Sequence, residues 1–214
     1  MNHTAWDWGL FPLPWRMAWH RCAVAGWAAV LLPFFVPGSA AGGLEPVAEY
    51  KIKAVCLYNF LLFTEWPVAG TNTAQTASSL PLVIGIVGQD PFGNAFAEVE
   101  GKPVGSHERP LEIRRFGPYR DGQSLCDCHL LFVCRSEEGN RQAILRKLAD
   151  VPVLTVGDSE SFLRSGGVVC LKRMGDKVRF DINLDAARRA GLKISSHVLR
   201  LADSVLESPS KAAP

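Results

Sequence analysis

The stretch LPLVIGIVG, residues 80 to 88, carries no charge, and its apolar residues fall on successive positions rather than on alternate ones. A strand of that kind is buried on both faces, which calls for helices above and below a mostly parallel sheet. QDPFGNAFAEVE follows, where Asp90 can cap a helix and Pro91 can occupy its first turn. Strand then helix opens an α/β unit, and the pattern recurs. LEIRRF (111 to 116) and CHLLFV (128 to 133) read as strands, the second followed by a helix over 137 to 149 with Ile144, Leu145 and Leu148 inward. VPVLTV (151 to 156) is a further strand, after which Asp158 or Ser159 caps a brief helix through SFLRS. VVCLKR and KVRFDINL flank Met174-Gly175-Asp176 as a hairpin, with Val178, Phe180 and Ile182 alternating against Arg179, Asp181 and Asn183. Asp185 caps AARRA, Gly191 stops it, and SSHVLRLADSVLE forms a last helix with Val198, Leu201, Ala202 and Val205 aligned. Ahead of all these, EPVAEYKIKAVCLYNFLLFTEW (45 to 66) reads as one helix. Val47, Ala54, Leu57, Tyr58, Leu61 and Leu62 lie on its apolar face, Glu49, Lys53 and Glu65 lie off it, and Pro67 ends it. The expectation is a single α/β domain over 45 to 206. It is a three-layer sandwich around a mostly parallel or mixed sheet of about six strands, flanked by helices. Residues 70 to 79 read as a surface loop and 207 to 214 as a frayed tail.

The segment before that domain is of a different kind. Arg16, His20 and Arg21 precede a run without charge from Cys22 to Val36, and Ser39, Ala40 and Ala41 follow. A basic stub, a short apolar stretch and small residues describe a secretory signal peptide over 1 to 41. The run is broken by Pro33 and falls short of the roughly 20 residues of a bilayer span; an uncleaved anchor is the alternative. A start at Met17 would give an ordinary leader, and Cys22 is no lipoprotein cysteine, because the apolar run comes after it. Cleavage near Ala41 leaves about 170 residues, enough for one proper core. Loss of Arg16, Arg21 and Asp7 takes the 23 basic and 21 acidic residues to 21 and 20. A nearly neutral chain lacks the concentrated basic face of a nucleic-acid binder.

Export decides how LCDCHLLFVC, residues 125 to 134, is read. Five of the six cysteines lie beyond the leader: Cys56, Cys126, Cys128, Cys134 and Cys170. In an oxidising compartment these are disulfide candidates, with at least one left over. Cys128 and Cys134 lie roughly 20 Å apart along a straight strand, beyond the roughly 7 Å limit for a bridge. That directs attention to Cys170 on a later strand and Cys56 on the first helix, without fixing the connectivity; a buried reduced Cys56 stays open. A metal ion on Cys126, Cys128 and His129 is the other reading, but neither a C-x-x-C pair nor a second histidine cluster accompanies them. No metal or cofactor is expected.

Catalytic signals are weak. Gly85, Gly88 and Gly93 follow G-x-x-G-x-x-x-x-G spacing, not that of a dinucleotide fingerprint or a P-loop. His107, His129 and His197 have no G-x-S-x-G elbow to serve. Glu137 and Glu138 read as favourable charge at a helix start, and Arg188 and Arg189 as a solvated helix face or a docking site. The expectation is therefore not an enzyme but a protein that binds and releases something. Asp90 and Asp158, at the carboxyl ends of strands, are the candidate ligand-binding residues.

EYKIKAVCLYNFLLFTEWP, IGIVGQDPFG, CHLLFV followed by Ser136-Glu137, PVLTVGDSESFLRSGG and VRFDINLDAARRAGLKISSHVLRLA, in that order from about residue 49 to 205, resemble the YfiR family of periplasmic proteins. Cys56 departs from that pattern, which expects a small or aromatic residue there, so no disulfide map transfers. The resemblance implies a dimeric periplasmic repressor that holds an inner-membrane diguanylate cyclase of the YfiN type inactive by binding its periplasmic domain. It also implies disulfides that matter to integrity, and an outer-membrane lipoprotein of the YfiB type that draws the repressor away. Related domains fused to histidine kinases imply a second role, as a small-molecule sensor subunit for a membrane kinase or cyclase. The contact surface is placed on the first helix and its end, at Tyr58, Phe63 and Trp66, since aromatics are favoured anchors. The same residues read equally well as core, and Arg188 and Lys193 are further docking candidates.

Overall fold

The computed structural model describes residues 46–67, 80–105 and 108–208. The leader, the cleavage point near Ala41, the start at Met17, the loop at 70 to 79, His107 and the end of the tail lie outside the described residues.

Helix α1 (Pro46–Leu62) leads into β1 (Thr64–Glu65). There follow β2 (Leu82–Val87), β3 (Pro103–Val104), β4 (Arg109–Gly117), β5 (Leu130–Val133), α2 (Arg141–Lys147), β6 (Leu154–Gly157), β7 (Val169–Met174) and β8 (Lys177–Asn183). The chain closes with α3 (Leu184–Arg189), β9 (Lys193–Ile194), α4 (Ser196–Leu201) and β10 (Ser204–Leu206). Eight strands form one sheet in the order β10-β8-β7-β6-β5-β2-β4-β3, and β1 pairs with β9 apart from it. The run β4-β2-β5-β6-β7 is parallel throughout. β8 turns back antiparallel through the two-residue Gly175-Asp176 turn, in the register Met174 opposite Lys177. Strand order thus reverses on either side of β2, the doubly wound arrangement whose carboxyl-end crevice lies between β2 and β5.

The continuous apolar runs explain this. β2, β5 and β6 are buried at every position. Alternate side chains enter opposite cores: Leu130 and Phe132 pack with Leu57 of α1 and Ala187 of α3, while Leu131 and Val133 pack with Ile144 and Leu145 of α2. Gly85 is glycine because of this sheet face, since a Cβ there would stand 2.8 Å from the Phe116 ring and 2.9 Å from Leu131. Gly88, at φ +104°, lets the chain turn against Ser136 and Cys134.

Several local expectations need correcting. The sheet has eight strands rather than about six, because β3 and β10 join its edges. After Asp90 the chain runs through tight turns, not a helix, with Ala95 N–H donating to Phe92 and Val99 N–H to Phe96; Asp90 accepts from Phe92 N–H at 2.7 Å. The helix expected over 137 to 149 is a 3₁₀ turn at Arg135–Glu137 followed by α2. Glu137 is buried there, held by Asn140 Nδ2 at 2.8 Å. The segment after Asp158 is turns rather than a brief helix. Asn183, not Asp185, caps α3, accepting from Ala186 N–H. The last helix ends at Leu201, and Val205 lies in β10 opposite Ile182 of β8.

Candidate functional site

The first two turns of α1 carry Glu49, Tyr50 and Lys53 to the carboxyl ends of the strands, where β6 ends and the chain turns at Asp158. Lys53 Nζ lies 2.7 Å from Asp158 Oδ2 and 2.7 Å from Glu49 Oε1, and 4.3 Å from the Tyr50 ring centroid. The Tyr50 hydroxyl donates to the same Asp158 oxygen at 2.9 Å. Arg173 Nη1 stands 3.5 Å from the second Glu49 oxygen. Lys53 and Asp158 are each 1% exposed at the side chain, so this pair is withdrawn from water and each charge depends on the other. Burial, and after it the Asp158 carboxylate, raises the Tyr50 phenol far above its ordinary value, so it stays a donor.

Asp158 Oδ1 is buried without a hydrogen-bond partner among the described residues. Arg135 Nε stands 4.0 Å from it, while Arg135 Nη2 donates to the Asp158 carbonyl at 3.0 Å. Beside Asp158 opens a depression of about 370 Å³ lined by Arg135, Glu138, Ser159, Glu160, Ser161 and Arg164. Asp90 belongs to the neighbouring loop: it holds Arg115 Nε at 2.8 Å and, through Phe92, sets a ring edge-on to Tyr50 at 5.4 Å. The two sequence-derived acids therefore flank one end of the sheet, but only Asp158 enters the ion-pair cluster.

Sequence reasoning placed Lys53 off the apolar face of α1, and the structure reverses this. Lys53 is four residues before Leu57 and seven before Phe60, both buried, whereas Val47, assigned to the core, is 68% exposed. The spacing was the signal, and the charge masked it.

The five cysteines among the described residues are free thiols in this structure. Cys128 donates to the Leu125 carbonyl at 3.1 Å and Cys170 to that of Ser159 at 3.2 Å. Burial pushes Cys128 and Cys134 up to about 12 and Cys170 up to about 11, and it raises Cys56 as well. Such thiols are poor nucleophiles; among the described cysteines only Cys126 is exposed. Val133 pairs with Gly157 and Gly157 with Cys170. β6 thus separates Cys170 from the Cys134 end of β5 by about 10 Å, two strand spacings.

The other end of α1 is built around His129. Its Nδ1 accepts from Val83 N–H at 3.2 Å, and Arg109 Nη2 lies 3.1 Å from Nε2. Both ring nitrogens face donors, and burial with the Arg109 charge pushes the imidazole down to about 4. Trp66 donates its indole N–H to the His129 carbonyl at 3.2 Å, and Tyr58 packs against the core. Of the five docking candidates, Phe63 and Lys193 come together on the surface. Phe63 is 41% exposed and tilts against His197, its carbonyl accepts from Ser195 N–H, and exposed Lys193 pairs with Glu65 in the β1–β9 ribbon. Arg188 is occupied by Glu207 at 2.7 Å and Asp185 at 3.7 Å.

The buried charges here join α1 to β6, and the ammonium of Lys53 is taken up by two carboxylates and a ring face. What this defines is a doubly wound α/β domain that presents surfaces and a shallow polar depression. The chain belongs to the YfiR/HmsC-like family, whose model matches residues 50–203. That family is regulatory and periplasmic, acting at the level of cyclic-di-GMP synthesis. A crystal structure of a conserved domain protein from Vibrio cholerae O1 biovar El Tor is similar at 12% identity and a TM-score of 0.41, over 58% of this chain and 54% of that one, so the chain spans about half its length. Among the described residues no helix is long and apolar enough to cross a membrane.

Proposed function

We propose that this protein is exported to the periplasm by its leader. There it represses an inner-membrane diguanylate cyclase of the YfiN type by binding that enzyme's periplasmic domain. The carrying observation is the YfiR/HmsC-like match over residues 50–203, from Tyr50 in α1 to Asp203 after α4. Repression by contact needs no catalytic group. Moving a two-state cyclase from 1:99 to 99:1 takes about 5.5 kcal/mol of differential affinity, within reach of an ordinary protein interface. The end of α1, with Phe63 beside Lys193, is the docking surface in this reading, and an outer-membrane lipoprotein of the YfiB type competes for the repressor. Deleting the gene in the native host is the test. Cellular cyclic-di-GMP and biofilm should rise and return to normal on complementation; unchanged levels overturn the reading.

A further inference from the structure

The cluster around Asp158 satisfies one carboxylate oxygen and leaves the other without a hydrogen-bond donor among the described residues. Oδ2 receives Lys53 and Tyr50, while Oδ1, equally buried, has no hydrogen-bond donor among the described residues. A buried acceptor in that state carries a desolvation penalty that a donor from the cavity side would remove. Two guanidinium groups border the same depression. Arg135 is exposed and reaches Oδ1 only at 4.0 Å, its one hydrogen bond going to a carbonyl. Arg164 is exposed and makes no ion pair or hydrogen bond among the described residues. Of the rim acids, Glu138 is held by Arg141 at 2.9 Å, which leaves Glu160 against the two arginines and the rim with a positive excess. The depression lies at the carboxyl ends of the strands, between the loops that follow β5 and β6 and one strand away from the β2–β5 crevice, and its size falls within the range of about 300–1,000 Å³ usual for small-molecule sites.

We infer that this depression binds a small hydroxycarboxylate. Its carboxylate lies against Arg135 and Arg164, the groups whose planar forks suit that ion, and its hydroxyl donates to Asp158 Oδ1. A hydroxyl suits that oxygen better than a second ammonium, because Lys53 and Arg173 together already balance Asp158 and Glu49. Ligation there would bear on the junction of α1 with β6, so the site is suited to sensing rather than turnover.

Titration of the purified exported domain with glycolate, lactate and malate, against acetate, propionate and succinate, tests this by thermal shift and calorimetry. At least one hydroxy acid should raise Tm by a few degrees while its deoxy partner does not. Arg164→Ala should weaken that binding about tenfold or more, the loss typical of one charge-assisted hydrogen bond, and Arg135→Gln should do likewise. Arg164 has no partner to lose among the described residues, so its variant should keep the ligand-free fold. Absence of any shift overturns the inference. So does an equal shift with the deoxy acids, or binding that survives both arginine substitutions. None of these outcomes bears on cyclase repression, which is read separately.

Discussion

Lys53 and Asp158 illustrate how a buried ion pair holds a fold more by the damage of breaking it than by its own net worth. Removing one member leaves the other charge stranded, a change of about 3–5 kcal/mol. Lys53→Met should therefore lower the unfolding free energy by that order, seen as a lower urea midpoint with an unchanged slope. Adding Asp158→Asn should restore much of the loss, since the uncompensated charge is then gone; a double variant no better than the single would refute the pairing. His129 supplies a second residue-level expectation. Its folded value of about 4 lies below the ordinary value near 6.5, so between the two the unfolded chain binds more protons. Stability then rises with pH across that window and is lost as pH falls from about 6.5 to about 4. Carboxylates titrate there too, so the measurement is the difference between the chain and His129→Gln. Denaturation midpoints of the variant should depend less steeply on pH, and identical slopes would rule the histidine out.

At the scale of elements, legibility followed burial. β2, β5 and β6 could be read because both faces are covered and their sequences are apolar without alternation. The β7–β8 hairpin could be read because Gly175 supplies the positive φ of a tight turn. What escaped reading was set by partners distant in sequence. Val198, Leu201, Ala202 and Val205 suit a helix period, yet Asp203 N–H donates to Phe180 and its carboxylate takes Lys172 at 2.6 Å, which draws the chain into β10 along β8. β1, β3 and β9 are two residues each, below what periodicity can register. The candidate site was half legible: Asp158 was found from its place at a strand end, and Lys53 was hidden by its charge. The turns after β6 show a subtler dependence. Phe162 lies over Gly157 and Gly167, and a Cβ on either would enter its ring. Gly167→Ala should cost about 1–3 kcal/mol by overpacking, and Phe162→Leu in the same chain should recover part of it. Full tolerance of the alanine in thermal unfolding would show that the ring can move aside.

Over the whole molecule, α1 acts as a strut between two poles. Its 17 residues span about 25 Å at the helical rise of 1.5 Å per residue. Its first half is fixed by Tyr50 and Lys53 to Asp158 at the carboxyl ends of the strands; beyond its last residue, Trp66 is fixed to His129 at the opposite edge. An aromatic side chain at such a junction can serve the fold or a partner, and the structure divides these roles between neighbours. Trp66 packs against His129 with ring centroids 5.6 Å apart and uses its indole N–H inside the protein, whereas Phe63 is 41% exposed, two residues before the Glu65 that pairs with exposed Lys193. If repression works through this end of α1, Phe63→Asp with Lys193→Glu should abolish binding to the cyclase periplasmic domain and raise cellular cyclic-di-GMP. Tm should stay close to that of the unmodified chain, as exposed substitutions generally move stability by no more than about 0.5 kcal/mol. Trp66→Ala should do the reverse, lowering Tm while the fraction that remains folded still binds. A Phe63 and Lys193 double variant that binds and represses normally would move the docking surface elsewhere on the domain.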